Sequence, residues 1–326
     1  MKRIGNDGPV AGSFAKSIVM HKPGEYCAET AGFFTAPHMD LVDLFIGSEG
    51  AFGIITEVTV GLLKRTPKIS VVQFLSSDEQ AITLVQTLRA DPRIRLDFLE
   101  MYSGTAIDLL RERQHRDAKS VGTPAIPATA KSALFFELDF DPTAKEVQME
   151  ALDSATRSCG ASPADSWAAY ESRELDRLKN FRHILPETIN AIIAERKKQH
   201  PGLHKLGTDL AVPDEHLADM WAVYRDALAG AELEWAAFGH IGNNHVHINI
   251  MPRDMADLQK ALGLYQMFAE KAVAFGGSVS AEHGIGKLKA KFLKTMFSLA
   301  HIEEMRAVKR ALDPNLLLNP GNIFEE

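Results

Sequence analysis

Phe238-Gly239-His240-Ile241-Gly242-Asn243-Asn244-His245-Val246-His247-Ile248-Asn249 reads as the bend of a β-hairpin. Gly and Asn supply the turn, and apolar residues alternate with polar ones beyond it. With the turn at Gly242–Asn244, positions 245, 247 and 249 share one strand face. Pairing 240 with 245 brings His240 onto that face, diagonal to His247 and within side-chain reach. The pattern predicts paired strands over 233–240 and 245–251, preceded by a strand over 206–212. Upstream, β-type runs cover 69–75, 96–102 and 133–140, and helical spacing covers 78–90, 143–159 and 214–229. Residues 168–198 read as mostly helical, 255–275 and 287–312 as helices, and the aperiodic stretch 112–132 as a loop. Strands joined by hairpins with helices between them imply an α+β fold, an antiparallel sheet with helices on one face.

The first 35 residues are rich in Gly, Pro and small polar types and read as irregular chain around one short strand. From Asp40 an apolar helical turn (Leu41, Val42, Leu44, Phe45) runs into Gly47-Ser48-Glu49-Gly50, and the β-branched run 54–60 predicts a strand. Pro67 follows, and a boundary near Arg65 divides the chain into 1–65, 66–295 and a closing helix and tail over 296–326.

At 326 residues, 45% hydrophobic and 24% charged, the chain is composed like an ordinary globular protein. A net charge of -7 argues against bulk attraction to nucleic acid or anionic lipid. Cys27 and Cys159 are the only cysteines. Their spacing excludes an iron–sulfur cluster built from this chain alone and fits a reducing compartment. With no apolar run of membrane-spanning length and no signal-peptide pattern at Met1, the expected location is cytoplasmic.

Three imidazoles beside the Asn249 amide are what a divalent metal site needs. The other reading is a polar sheet face of hydrogen-bonded histidines. The second chemical stretch is Gly276-Gly277-Ser278-Val279-Ser280-Ala281-Glu282-His283-Gly284-Ile285-Gly286-Lys287. Its glycines let the backbone approach a ligand, Glu282 can add a carboxylate to the histidines, and His283 can act as a base. Lys287, Lys289, Lys291 and Lys294 read as a solvated helix face.

Four motifs then appear in a known order: Gly47-Ser48-Glu49-Gly50-x2-Gly53, Gly239-His240-Ile241-Gly242 with His247-x-Asn249, Glu282-His283-Gly284-Ile285-Gly286, and Asn319-Pro320-Gly321. The chain resembles the FAD-linked oxidase C-terminal family of vanillyl-alcohol-oxidase-type flavoproteins, over about residues 40–326. That family includes D-lactate dehydrogenase, the glycolate oxidase flavin subunit and D-2-hydroxyglutarate dehydrogenase. The resemblance implies a ferredoxin-like cap domain and oxidation of a D-2-hydroxy acid to the 2-oxo acid by hydride transfer to FAD. Matched position by position, it implies His240, His247 and Glu282 as ligands of Zn or Mn/Fe, and His283 as the base. Arg182 and Asn249 match substrate-binding positions, and Lys205 lies near the family's substrate-binding lysine, with a different spacing to Asp209. Gly47, Ser48, Glu49, Gly50, Gly53, Ile54 and Ile55 match the part of the flavin domain where backbone amides approach the cofactor, and Asn319 matches the tail that returns to it.

This chain departs from the pattern in two places. Many members have Gly-Asp-Gly-Asn-Leu-His where it has Gly242-Asn243-Asn244-His245-Val246-His247. No Gly-rich pyrophosphate loop precedes Asp40, so residues 1–65 read as a remnant of the flavin domain, and weak FAD retention by this chain alone is expected. The implied partners are a small 2-hydroxy acid, an unnamed electron acceptor, a separately encoded flavin-domain chain and a second copy in a homodimer. A truncated or non-catalytic subunit that binds metal or hydroxy acid without FAD is the alternative. A metallohydrolase would use the same three ligands with a bound water.

Overall fold

The hairpin forms in the register expected from its sequence. Phe238 pairs with His247 and Trp235 with Ile250, and the His245 amide donates to the His240 carbonyl at 3.3 Å. This computed structural model describes residues 30–35, 39–62, 66–117, 123, 125–139, 143–170 and 172–324. The hairpin strands β6 (Trp235–Gly239) and β7 (His247–Ile250) join β1 (Lys68–Leu75), β2 (Leu96–Tyr102), β3 (Ser132–Asp139), β4 (Ser166–Ala169) and β5 (Leu206–Gly207). The sheet runs β4-β1-β3-β2-β6-β7-β5, and its paired strands are antiparallel. The helices are α1 (Leu41–Phe45), α2 (Asp78–Ala90), α3 (Gly104–Arg116), α4 (Lys145–Ser158), α5 (Ser172–Lys197), α6 (Leu217–Gly230), α7 (Met255–Ala274), α8 (Ala290–Met296) and α9 (Leu299–Leu312). The β4-β1-β3-β2 portion, with α2 following β1 and α4 following β3, has the ferredoxin-like order the resemblance implies.

The α+β class and antiparallel sheet stand, but helices cover both sheet faces rather than one. Strand alternation explains why. Val71, Leu75, Leu99, Met101, Leu134, Phe136 and Leu138 face a core with α2, α4, α6 and α7. Val72, Phe74, Tyr102, Ala133 and Phe135 face a second core made with α3 and α5. A sheet apolar on both faces needs two helical layers. The second layer includes α3, so residues 112–116 are helical rather than loop. Ser103 starts α3 by accepting from the Ala106 amide at 3.2 Å, and Ala106, Ile107 and Leu110 give it one apolar side.

Other differences have local causes. The run 54–60 forms no strand: Ile54, Ile55, Val58 and Val60 are exposed, and no described strand lies beside them. A strand needs a neighbour for its amides. The ladder expected over 206–212 stops at Gly207, although Ala211 bridges to His245 and Ser278. The helix expected over 287–312 breaks at extended Phe297, where Ser298 caps α9 by accepting from the His301 amide at 3.3 Å. Residues 166–169 are strand β4, not the start of a helix. The proposed boundary at Arg65, Cys27 and most of the first 35 residues lie outside the described set. Cys159 is a free thiol. No described helix is long and apolar enough to cross a membrane.

Early and late segments meet through aromatic rings. Phe33 lies 4.3 Å from Phe52 and 5.8 Å from Phe324, centroid to centroid.

Phe181 on α5 is 1% exposed and lies against Tyr102 at 5.0 Å and Trp167 at 5.5 Å. Phe181→Ala should cost about 3–5 kcal/mol, read as a lower urea midpoint at unchanged slope. Asp78, at the start of α2, accepts from the Gly104 amide at 3.0 Å. Burial pushes its carboxyl up to about 6. The folded state therefore holds this proton more tightly than the unfolded chain, and stability falls as pH rises from about 4 toward that value. Asp78→Asn should stabilise the protein at pH 7 by about 1–2 kcal/mol, discounted for partial exposure. The gain should vanish near pH 4; an equal gain at both pH values would refute the linkage.

Candidate functional site

β7 presents His247 toward the α3/α5 side of the sheet, and the end of β6 brings His240 beside it. Gly239 permits the close approach. Its φ is +142° and a Cβ there would lie 2.9 Å from the His247 ring. The turn closes through Asn244, which adopts a left-handed conformation (φ 55°) and accepts from Arg89 of α2 at 2.8 Å.

Glu282 arrives from far along the chain, yet it reaches both imidazoles. Its Oε1 lies 2.9 Å from His247 Nε2 and its Oε2 lies 3.3 Å from His240 Nε2. One ligand atom from each of the three residues falls within 4.8 Å of the others. His283 completes the cluster, with Nε2 3.1 Å from Glu282 Oε1 and its side chain 63% exposed.

The loop carrying Glu282 and His283 is built around a residue the sequence reading did not single out. Asp209 is buried at 3% exposure. Its carboxylate accepts from the amides of Ala281 (3.3 Å), Glu282 (3.1 Å) and His283 (3.1 Å). The Ser280 hydroxyl (2.9 Å) and the Lys289 ammonium (2.5 Å) donate to it as well. Lys289, read from sequence as part of a solvated face, is thus mostly enclosed. A second carboxylate grips the far end of the loop. Glu49 accepts from the amides of Ile285 (2.6 Å) and Gly286 (2.7 Å) and from Asn322 (2.9 Å). Gly284 between them has φ +71°, and a Cβ there would sit 2.4 Å from Glu49 Oε1. Only glycine fits.

Charge follows from these contacts. Burial pushes the Asp209 carboxyl up, but the His245 contact and the Lys289 charge outweigh it and hold it far below the usual carboxylate range. The His247 hydrogen bond outweighs burial at Glu282 and brings it down to about 2. Burial pushes His247 toward the neutral form, while Glu282 and the Thr208 carbonyl hold its pKa above the usual histidine value. His245 goes the other way, lowered by burial. Its Nε2 lies 3.1 Å from Asp209 Oδ1 without hydrogen-bond alignment.

The donor set suits a divalent cation. His247 Nδ1 lies 2.8 Å from the Thr208 carbonyl, which places a proton on Nδ1 and leaves Nε2, facing ionised Glu282, to carry a second proton or to offer its lone pair to a cation. Two lone pairs 2.9 Å apart need a proton or a cation between them. Ligand atoms about 2.0–2.1 Å from zinc stand about 3.3 Å apart around a tetrahedron, close to the separations here. Two histidines and one carboxylate also suit Fe or Mn.

The other expected residues are placed less uniformly. Arg182 on α5 reaches the cluster through Glu100, which accepts from its Nε and Nη2 at 2.7–3.1 Å; its side chain is 39% exposed. Asn249 is buried, and its amide donates to the His247 carbonyl at 3.3 Å rather than pointing outward. Lys205 is exposed and makes no hydrogen bond or ion pair with the cluster. Gly47, Glu49 and Gly50 all have positive φ, and Ser48 donates to the Phe45 carbonyl at 3.0 Å. The Glu49 side chain is engaged by the loop at Ile285 and Gly286. Asn319 donates to the Glu49 carbonyl at 2.7 Å, Gly53 follows this turn, and Ile54 and Ile55 stand 81% and 59% exposed. Asp209 and Glu100 had one faint signal, an acidic residue set among strongly apolar neighbours.

Asp209→Asn leaves the Lys289 ammonium enclosed without its counter-charge. The loss should be about 3–5 kcal/mol, with faster amide exchange at Ala281, Glu282 and His283. Unchanged exchange at those three amides would show that the carboxylate does not hold the loop.

The chain is 26% identical over 322 residues to the glycolate oxidase subunit GlcD of Bacillus subtilis (strain 168), covering 95% of this chain and 61% of that protein. It is 28% identical over 292 residues to a D-2-hydroxyglutarate dehydrogenase of Stutzerimonas stutzeri (strain A1501), covering 87% and 59%. To a probable mitochondrial D-lactate dehydrogenase of Danio rerio it is 29% identical over 296 residues, covering 89% and 55%. The chain therefore spans about three fifths of the length of these curated relatives. Among solved structures, p-cresol methylhydroxylase with substrate bound superposes with a TM-score of 0.58 at 15% identity, covering 89% of this chain and 59% of that one. The 4-ethylphenol oxidase from Gulosibacter chungangensis, in its isoeugenol complex, gives 0.56 at 16% identity, covering 90% and 61%. These two likenesses show the fold. The family model for FAD linked oxidases, C-terminal domain, matches residues 65–323, and the chain belongs to that family.

Proposed function

We propose that this chain forms the substrate and metal side of a flavin-linked dehydrogenase or oxidase of a D-2-hydroxy acid, of the lactate, glycolate or 2-hydroxyglutarate type. The observation that carries the reading is the meeting of His240, His247, Glu282 and His283 at one point. The names of the relatives, glycolate oxidase subunit, D-2-hydroxyglutarate dehydrogenase and D-lactate dehydrogenase, support the substrate class.

His240, His247 and Glu282 would hold a divalent cation, which when bound supplies positive charge for the substrate's carboxylate and hydroxyl oxygens and eases loss of the hydroxyl proton. FAD, when bound, would supply the acceptor for the α-hydrogen and its electron pair. His283 takes the hydroxyl proton, so one hydride and one proton depart and the 2-oxo acid remains. Its exposed ring, beside Glu282 but outside the three-ligand set, suits that task. Arg182 holds the substrate carboxylate with the part of its guanidinium not engaged by Glu100.

The exposed run Ile54, Ile55, Val58, Val60 and Leu62 supports a flavin-binding body covering this side, carried on the same polypeptide or on a separate one. It also favours, as the second reading, a metal- and acid-binding unit that holds no flavin by itself. Flavin absorbance that is released on denaturation separates the two.

In flavin-reconstituted protein, His283→Ala should lower turnover by about 10²–10⁴-fold with metal content intact. His247→Ala should lose metal and turnover together. Wild-type turnover in His283→Ala sinks the base assignment; full metal content in His247→Ala sinks the ligand assignment.

A further inference from the structure

We infer that Glu100 is a positioning residue of this site, fixing the ring of His240 and the guanidinium of Arg182 together. The inference rests on reading His240, His247 and Glu282 as metal ligands. Glu100 lies on β2 between buried Leu99 and Met101 and is itself 4% exposed. An ionised group enclosed this way costs stability unless partners surround it. Arg182 reaches across from α5 to bind it with Nε and Nη2, and the Tyr102 hydroxyl donates to Oε2 at 3.1 Å. The remaining approach is from His240, whose Nδ1 stands 3.4 Å from Oε1.

His240 is therefore flanked by two carboxylates, Glu100 at Nδ1 and Glu282 at Nε2. Both are ion-pair distances without hydrogen-bond alignment; a proton kept on the Glu100 side would leave the Nε2 lone pair for a cation. His247 is held more closely between two partners, hydrogen-bonded at Nδ1 to the Thr208 carbonyl (2.8 Å) and at Nε2 to Glu282 (2.9 Å). Outer partners of this kind set the tautomer and aim of a metal-binding imidazole. Arg182 gains a fixed direction from the same carboxylate, and its guanidinium lies 4.5 Å over the Phe98 ring. One buried side chain thus ties β2, the hairpin end and α5 into a single geometry, which a hydrocarbon of equal volume could not do.

The test is zinc binding by the metal-stripped full chain, measured by competition with a chromophoric chelator. Glu100→Gln should weaken zinc binding about 10–100-fold while circular dichroism and cooperative melting persist. Glu100→Asp, which keeps the charge but draws it back, should weaken it less. Unchanged zinc affinity in Glu100→Gln overturns the inference alone. If Glu100→Gln does not fold, Glu100→Asp decides: weaker binding supports the role, and wild-type binding removes it. No zinc binding by the wild-type chain overturns the metal reading and this inference with it.

Discussion

The carboxylate of Asp209 is the constraint on which the site depends. It is enclosed, and the donors around it come from one loop and the helix beyond it. Three successive amides, a hydroxyl and an ammonium converge on two oxygens. A short glycine-rich loop has little apolar surface with which to fix itself. Charge-assisted hydrogen bonds to a buried acid replace that surface. Because Asp209 directly precedes the segment that bridges to His245 through Ala211, the same few residues align the hairpin and aim Glu282 and His283 at it.

The sheet supplies the other half. Its two faces are both apolar, so helices enclose it on both sides, and side chains emerge only where that cover ends. His247, Glu100 and Phe98 share the face packed by α3 and α5, and Arg182 projects from α5 toward them. The polar site is thus the margin of a hydrophobic layer. Low polarity on one side strengthens the contacts among its charges, and the exposed rim leaves His283 accessible.

What the sequence showed and what it concealed follow from the range of the interactions. Hairpin register is a local property set by the Gly242–Asn244 turn and the alternation around it, and it was legible. Most strands and helices carried their own periodicity. Helix α3 did not, because Gly104 opens it and only Ala106, Ile107 and Leu110 mark its apolar side. The run 54–60 misled for the opposite reason: β-branched residues express a preference for strand but cannot supply the neighbour that makes one. At the site, His240, His247, Glu282 and His283 stood out as clustered chemistry. Asp209 and Glu100 did not, since each is a single acid whose charged partner, Lys289 or Arg182, lies 80 or 82 residues away. Lys289 looked like one of several solvated lysines until Asp209 gave it a buried counter-charge.

The balance of charge around these acids points back to the chemistry. Asp209 has Lys289, and Glu100 has Arg182. Glu49 is satisfied by backbone amides and Asn322, which need no full positive charge. Glu282 differs from all three. Among the described residues no lysine or arginine lies within ion-pair distance of it, and its neighbours are histidines. The imidazoles hold its carboxyl down to about 2, chiefly through the His247 hydrogen bond, so without a metal its counter-charge is a protonated histidine. Protons on the rings can provide it only by consuming the lone pairs that face Glu282. A divalent cation would take up those same lone pairs, and that exchange is what the proposed metal site rests on.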